Sequence, residues 1–328
     1  MTSVDSWHGM SVVVTGGGGF LGRVLVDRLR RAGARVCVPR RAEYDLTDAT
    51  AAARLFAEAN PEVVFHLAAA VGGIGANRDN PGRFFYENMA MGLNVLEQAR
   101  RHGGVRKLVL VSTTCAYPED AEVPLREEDL WRGYPEPTNA PYGIAKRALV
   151  VMAHAYLQQY GLRSITLIPA NLYGPGDNFD LETSHVIPAL IRKCVEAVER
   201  GDDEITVWGD GTATREFLYV DDAARGLLLA AERYDDPHPV NLGTGEEISI
   251  KGLVTLVADL TGFRGLVRWD TSKPTGQRRR RLEISRAWEK FGFRAAVSLR
   301  EGLQATISWY RTEGRRLQAR SRRPGTRY

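Results

Sequence analysis

The chain has only three cysteines in 328 residues, Cys37, Cys115 and Cys194. They are too few, too scattered and odd in number for a disulfide framework or a zinc site, which predicts a reducing cytoplasm and no metal. No apolar run approaches the roughly 20 residues that cross a bilayer, so no membrane partner is expected. The first ten residues carry an acid, Asp5, and no basic cluster ahead of an apolar stretch, which excludes a signal peptide in this reading. Internal repeats and low-complexity linkers are also missing, so two halves packed on each other are expected rather than tethered domains. Even the positive charge is absent from the body. Seven arginines and one glutamate in residues 311–328 contribute +6 of a total of +4, leaving the remainder at −2. That Arg-rich end reads as a solvated, disordered tail, with no nucleic-acid partner expected.

With 44% hydrophobic and 26% charged residues, the chain has an ordinary globular composition. Short apolar, β-branched runs at 10–15, 35–38, 63–67, 107–112 and 164–169 read as strands. Helical patterns separate them, one after Gly22 that stops at Gly33, one over 81–101 and one around Tyr142. Strands alternating with helices predict an α/β fold, a Rossmann-type doubly wound parallel sheet. We assign it to residues 1–172, with some later segments returning to it. Turn-rich stretches and short elements mark a smaller mixed α/β substrate-binding lobe over 173–310, ahead of the tail at 311–328.

Gly16, Gly19 and Gly22 form Gly-x-x-Gly-x-x-Gly between the first strand and the first helix. Glycine there permits a tight turn and close approach to a pyrophosphate, and the helix N-terminus at Phe20 and Leu21 offers free N–H groups. The second strand ends in Pro39-Arg40-Arg41 rather than in the acid expected for a ribose diol. Two arginines suit a 2′-phosphate, so NADP is expected ahead of NAD. Asp45 and Leu46 follow at the distance of the adenine, and Ala68 follows the third strand.

Tyr142 and Lys146 are four residues apart, on one helix face. An ammonium near a phenol favours the phenolate, which predicts a lowered tyrosine pKa and proton exchange with a sugar oxygen. Cys37 and Cys194 read as core residues and His66 as structural.

Taken with the glycine loop, these residues resemble the extended short-chain dehydrogenase/reductase superfamily over about residues 11–310. Four segments narrow the resemblance to the GDP-L-fucose synthase family, the GDP-4-keto-6-deoxymannose 3,5-epimerase-4-reductases. They are Val71-Gly72-Gly73-Ile74-Gly75-Ala76-Asn77, Ser112-Thr113-Thr114-Cys115-Ala116-Tyr117-Pro118, Glu136-Pro137-Thr138-Asn139-Ala140-Pro141-Tyr142, and Asn171-Leu172-Tyr173-Gly174-Pro175-Gly176-Asp177-Asn178-Phe179. The last runs on to Ser184-His185-Val186-Ile187-Pro188.

The resemblance implies a reductase centre of Thr113, Tyr142 and Lys146, with threonine where the family usually has serine. It implies an epimerase pair, Cys115 and His185, with His185 also near the cofactor. A C4 ketone acidifies the C3 and C5 protons, and epimerisation needs a base on one face and an acid on the other. A thiolate and an imidazolium can take those roles near neutrality. A GDP-linked sugar is the implied partner, met by Asn171, Lys193, Trp208, Arg215 and Lys273, with one arginine of residues 278–281 assisting. A homodimer through helices including the Tyr142 helix is also implied. Where some members carry a phosphate-binding arginine in the glycine loop, this chain has Gly18, which leaves that task to Arg40 and Arg41. Two alternatives stay open. One is an NAD-retaining epimerase of the UDP-hexose 4-epimerase type, and the other is the same chemistry on a different NDP-4-keto sugar. A non-catalytic dinucleotide-binding regulator is argued against by the intact Thr113, Tyr142 and Lys146.

Overall fold

The run Val12-Val13-Val14 explains the centre of the fold. Successive strand residues face opposite ways, so a strand buried on both sides must be apolar at every position. In the computed structural model, which describes residues 6–72, 74–181, 183–272 and 277–314, all three valines are fully buried. They lie in β1 (Ser11–Thr15). The chain continues through α1 (Phe20–Arg31), β2 (Arg35–Cys37), α2 (Ala49–Ala59), β3 (Val63–His66), α3 (Ile74–Asp79), α4 (Pro81–His102), β4 (Lys107–Val111), α5 (Ala140–Tyr160), β5 (Ser164–Pro169) and β6 (Asn171–Tyr173). Then come α6 (Val186–Arg200), β7 (Glu204–Trp208), β8 (Thr214–Arg215), β9 (Phe217–Tyr219), α7 (Val220–Arg233), β10 (Val240–Leu242), β11 (Ile248–Ser249), α8 (Ile250–Thr261), β12 (Leu266–Asp270), α9 (Ser285–Phe291) and α10 (Leu299–Trp309).

Six strands form one parallel sheet in the order β10-β5-β4-β3-β1-β2. The predicted α/β Rossmann-type sheet is therefore present. Val12 and Val14 join Leu25, Leu29, Leu227 and Ile165 in the core under α1 and α7. Val13 faces the other way, with Leu55, Phe56, Leu96 and Leu149 under α2, α4 and α5. The strand order reverses at β1, which opens a crevice at the carboxyl ends of β1 and β3, the place where open α/β sheets bind ligands.

A separate core holds Tyr173, Ile187, Ile191, Phe217, Val254 and Leu303, built from α6, α8, α10 and the short strands between them. Chain returns from this second core to the first through α7 and β10. Cys194 is fully buried, and Cys37, half-buried at the end of β2, packs against the core under α2 and α4. Residues 311–314 correct one expectation. They extend α10 as a π-helical turn, with Arg311 donating to the Thr261 carbonyl at 2.9 Å, so the ordered chain runs past the predicted start of the tail. The rest of the tail lies outside the described residues. No helix among the described residues is long and apolar enough to cross a membrane.

Candidate active site

The glycine loop follows β1 directly. Gly16 has φ +69°, and a Cβ there would lie 2.7 Å from the Ala68 nitrogen. A Cβ on Gly22 would sit 2.2 Å from the Gly16 carbonyl oxygen. Larger side chains would therefore prise the loop away from α1 and from the end of β3. Gly19 is the N-cap of α1, with no side-chain cap and no acid in the first turn, where Phe20 and Leu21 begin the helix. This end keeps its positive pole for an anion. The cradle and the helix end fit a pyrophosphate.

The two arginines differ. Arg41 is ion-paired with Glu87 at 3.4 Å and Asp45 at 3.5 Å. Arg40 lies over the loop, its Nη1 2.9 Å from where a Gly18 Cβ would be. Asp45 turns back to accept from the Thr47 backbone and hydroxyl, which holds its carboxyl below the usual range. Leu46 is buried in the core beneath it. His66 is buried with its Nδ1 2.9 Å from Thr15 Oγ1, and burial drives it down to about 3, in keeping with a structural role.

β4 delivers Thr113 and Cys115 to the crevice. Thr113 caps the 3₁₀ turn Thr114–Ala116 by accepting from the Cys115 N–H at 3.1 Å. α5 packs hard on that turn, because a Cβ on Gly143 would meet the Cys115 carbonyl oxygen at 2.4 Å. Arg147, one turn further on, donates from Nη1 to the Gly133 carbonyl at 2.7 Å and from Nε to that of Ala116. Gly143 and Arg147 were missed in the sequence. Gly143 was detectable as a β-carbon-free position between Tyr142 and Lys146, but the carbonyl it accommodates is distant in sequence.

Tyr142 and Lys146 are both buried. The expected lowering of the phenol is not found. Burial pushes Tyr142 up, the charge of Cys115 adds to this, and only the Thr113 hydrogen bond opposes it. Lys146 Nζ stands 5.9 Å from the Tyr142 ring centroid and donates to the Val111 carbonyl at 3.0 Å. Its own burial brings it down to about 8, so the same dry corner that raises the phenol also weakens the cation meant to lower it.

The second core supplies the opposite wall. His185 is the N-cap of α6; its surface is accessible, yet the protein crowded around the ring pushes the imidazolium down. Arg215 is half-buried, brought to about 10 by burial and by the neighbouring Arg280. Trp208 is 55% exposed at the end of β7. Asn171 donates to the Glu216 carbonyl at 2.9 Å and Lys193 to that of Thr206 at 2.7 Å, so both side chains are engaged within the protein. Lys273 lies outside the described residues.

Residues 12–243 match the family model described as the NAD dependent epimerase/dehydratase family. The chain is 41% identical over 303 residues to the probable GDP-L-fucose synthase 1 of Oryza sativa subsp. japonica, covering 92% of each chain. It resembles the solved structure of a GDP-L-fucose synthetase from Naegleria fowleri bound to NADP, with a TM-score of 0.84 and 29% identity over 94% of this chain and 96% of that one. It also resembles a GDP-6-OMe-4-keto-L-xylo-heptose reductase from C. jejuni, with a TM-score of 0.87 and 29% identity over 93% of this chain and 98% of that one.

Proposed function

We infer the reaction from one premise: this chain belongs to the NAD dependent epimerase/dehydratase family and, within it, to the GDP-L-fucose synthases. It epimerises C3 and C5 of a GDP-4-keto-6-deoxy-hexose and then reduces C4. The observation that carries this reading is the meeting of Thr113, Cys115 and Tyr142 at one helix–turn contact. NADPH supplies the hydride for C4 when bound. Cys115 and His185 exchange the C3 and C5 protons, and Thr113 and Tyr142 hydrogen-bond the C4 oxygen while it carries enolate charge. A phenol held protonated by burial then gives its proton to that oxygen. Two groups for ring-carbon chemistry favour this reading over a UDP-hexose 4-epimerase, whose reaction needs neither.

The cofactor is held by Gly16, Gly19, Gly22, Phe20 and Leu21, with Asp45, Leu46, Ala68, Lys146 and His185 around it. Arg40 reads the 2′-phosphate. Its guanidinium fills the space beside Gly18, standing in from the loop after β2 for a loop arginine, whereas Arg41 is paired with Asp45 and Glu87. The nucleotide-sugar meets Trp208 and Arg215, with Asn171, Lys193 and Lys273 in support. Incubation with GDP-4-keto-6-deoxymannose tests the whole reading. NADPH is expected to be consumed ahead of NADH, with a C3,C5-inverted, C4-reduced sugar seen by NMR, and Arg40→Ser is expected to narrow the cofactor preference about tenfold or more. An unchanged sugar would sink the assignment. A second substrate, another GDP-4-keto sugar, is favoured by the likeness to the heptose reductase.

The chain acts as a homodimer. Phe85, Tyr86 and Leu93 on α4 and Val151 on α5 are exposed apolar residues on two helices packed side by side. Phe85 also lines a groove with Pro81, Tyr134 and Ile144, between the starts of the same two helices. Light scattering is expected to give twice the 36.4 kDa chain mass and Val151→Asp to return it to one chain. A native monomer at micromolar concentration would refute the dimer.

A further inference from the structure

Arg280 brings a guanidinium to the thiol of Cys115. Its Nη1 stands 3.7 Å from Cys115 Sγ and 3.5 Å from Thr114 Oγ1, while Nε donates to Gln277 Oε1 at 2.9 Å and Nη2 reaches the same amide oxygen. Among the described residues its partners are an amide, a hydroxyl and a thiol, with no carboxylate. Its neighbour Arg279, by contrast, is ion-paired with Glu247.

The backbone around Arg280 is fixed. The Glu216 N–H donates to the Arg280 carbonyl at 3.2 Å, and the Glu216 carboxylate accepts from the Leu282 N–H at 2.6 Å. That carboxylate is itself buried and accepts from the Gly245 and Thr244 N–H groups as well. The same stretch carries Arg215, so Arg215 and Arg280 come from paired backbone and face the same thiol region. Arg215 is lowered first by its burial and then by the nearness of Arg280, which places the two guanidiniums in one corner of the site.

We propose that Arg280 is the positioning residue of Cys115: its guanidinium lies against the sulfur, aims it at the substrate carbon it deprotonates and supports the negative charge it carries in that step. The inference rests on reading Cys115 as an epimerisation base. In that step a sulfur lone pair forms the S–H bond. The C–H pair becomes the enolate double bond, and the negative charge moves from sulfur to the C4 oxygen. No atom is oxidised, and His185 returns a proton to the other face. Arg280 thereby supports the charge before transfer, while Thr113 and Tyr142 support it afterwards.

Alkylation by iodoacetamide at pH 7, with Cys115 identified by peptide mass spectrometry, reads the sulfur without any substrate. In the full chain Arg280→Gln is expected to slow Cys115 alkylation about tenfold, and Arg280→Lys to keep most of the native rate. Deuterium uptake at C3 and C5 of the GDP-4-keto sugar is expected to fall in the same order. Native-rate alkylation in Arg280→Gln, with a raised KM for the sugar nucleotide, would make Arg280 a substrate-binding group and overturn the proposal. A lysine variant no better than the glutamine one would overturn it too, since charge would not be what matters. Native enzyme that exchanges no deuterium while the alkylation rates differ as expected would refute the epimerase reading and leave the Arg280–Cys115 pairing supported.

Discussion

Tyr142→Phe is expected to oxidise NADPH about a hundredfold to ten-thousandfold more slowly than the native chain, the range that a positioned proton donor contributes. Phenylalanine fills the same buried volume, and what disappears is the hydroxyl hydrogen-bonded to Thr113. The KM for the sugar nucleotide should change little, because the ring sits in the wall rather than on the nucleotide. Deuterium uptake at C3 and C5 should slow as well, since the same hydroxyl steadies the enolate oxygen. A loss confined to reduction would assign the enolate to Thr113 alone. Turnover within a few-fold of native would remove Tyr142 from both stages.

Cys115→Ser is expected to separate the two stages. A serine hydroxyl ionises far less readily than a thiol and so offers almost no anionic base near neutrality, and uptake of solvent deuterium at C3 and C5 should fall about a hundredfold or more. Reduction at C4 should continue on the unepimerised sugar, because Thr113, Tyr142 and Lys146 are untouched. Thr113 accepts from the backbone N–H of residue 115, not from its side chain, so the 3₁₀ turn survives the exchange. Full solvent exchange in this variant would take Cys115 out of the mechanism.

Much of this arrangement was legible in the chain because it is local. A triple-valine strand, glycines where a β-carbon would strike backbone, and a tyrosine four residues before a lysine each state their constraint within a few positions. What escaped depends on partners far away in sequence. Arg40 and Arg41 look equivalent until α4 brings Glu87 to one of them. Lys146 looks like a cation that lowers a phenol until burial makes both its own charge and the phenolate costly. Lys193 looks free until the Thr206 carbonyl accepts from it. Arg280 is one of four consecutive arginines, and only the pairing of its backbone with Glu216 sets it at the thiol.

The missing side chain at Gly143 has a mechanical consequence. With α5 seated against the Cys115 carbonyl, the turn that carries the sulfur and the helix that carries the phenol are packed backbone to backbone. A change in the second core can then alter where a sugar ring lies without altering the spacing between the group that starts the reaction and the group that ends it. Tolerance for a new sugar must be found across the cleft, around α6 and β7, where a mutation shifts the substrate and leaves the tool intact. A methyl group at 143 would do the opposite, blunting both stages together whatever the sugar.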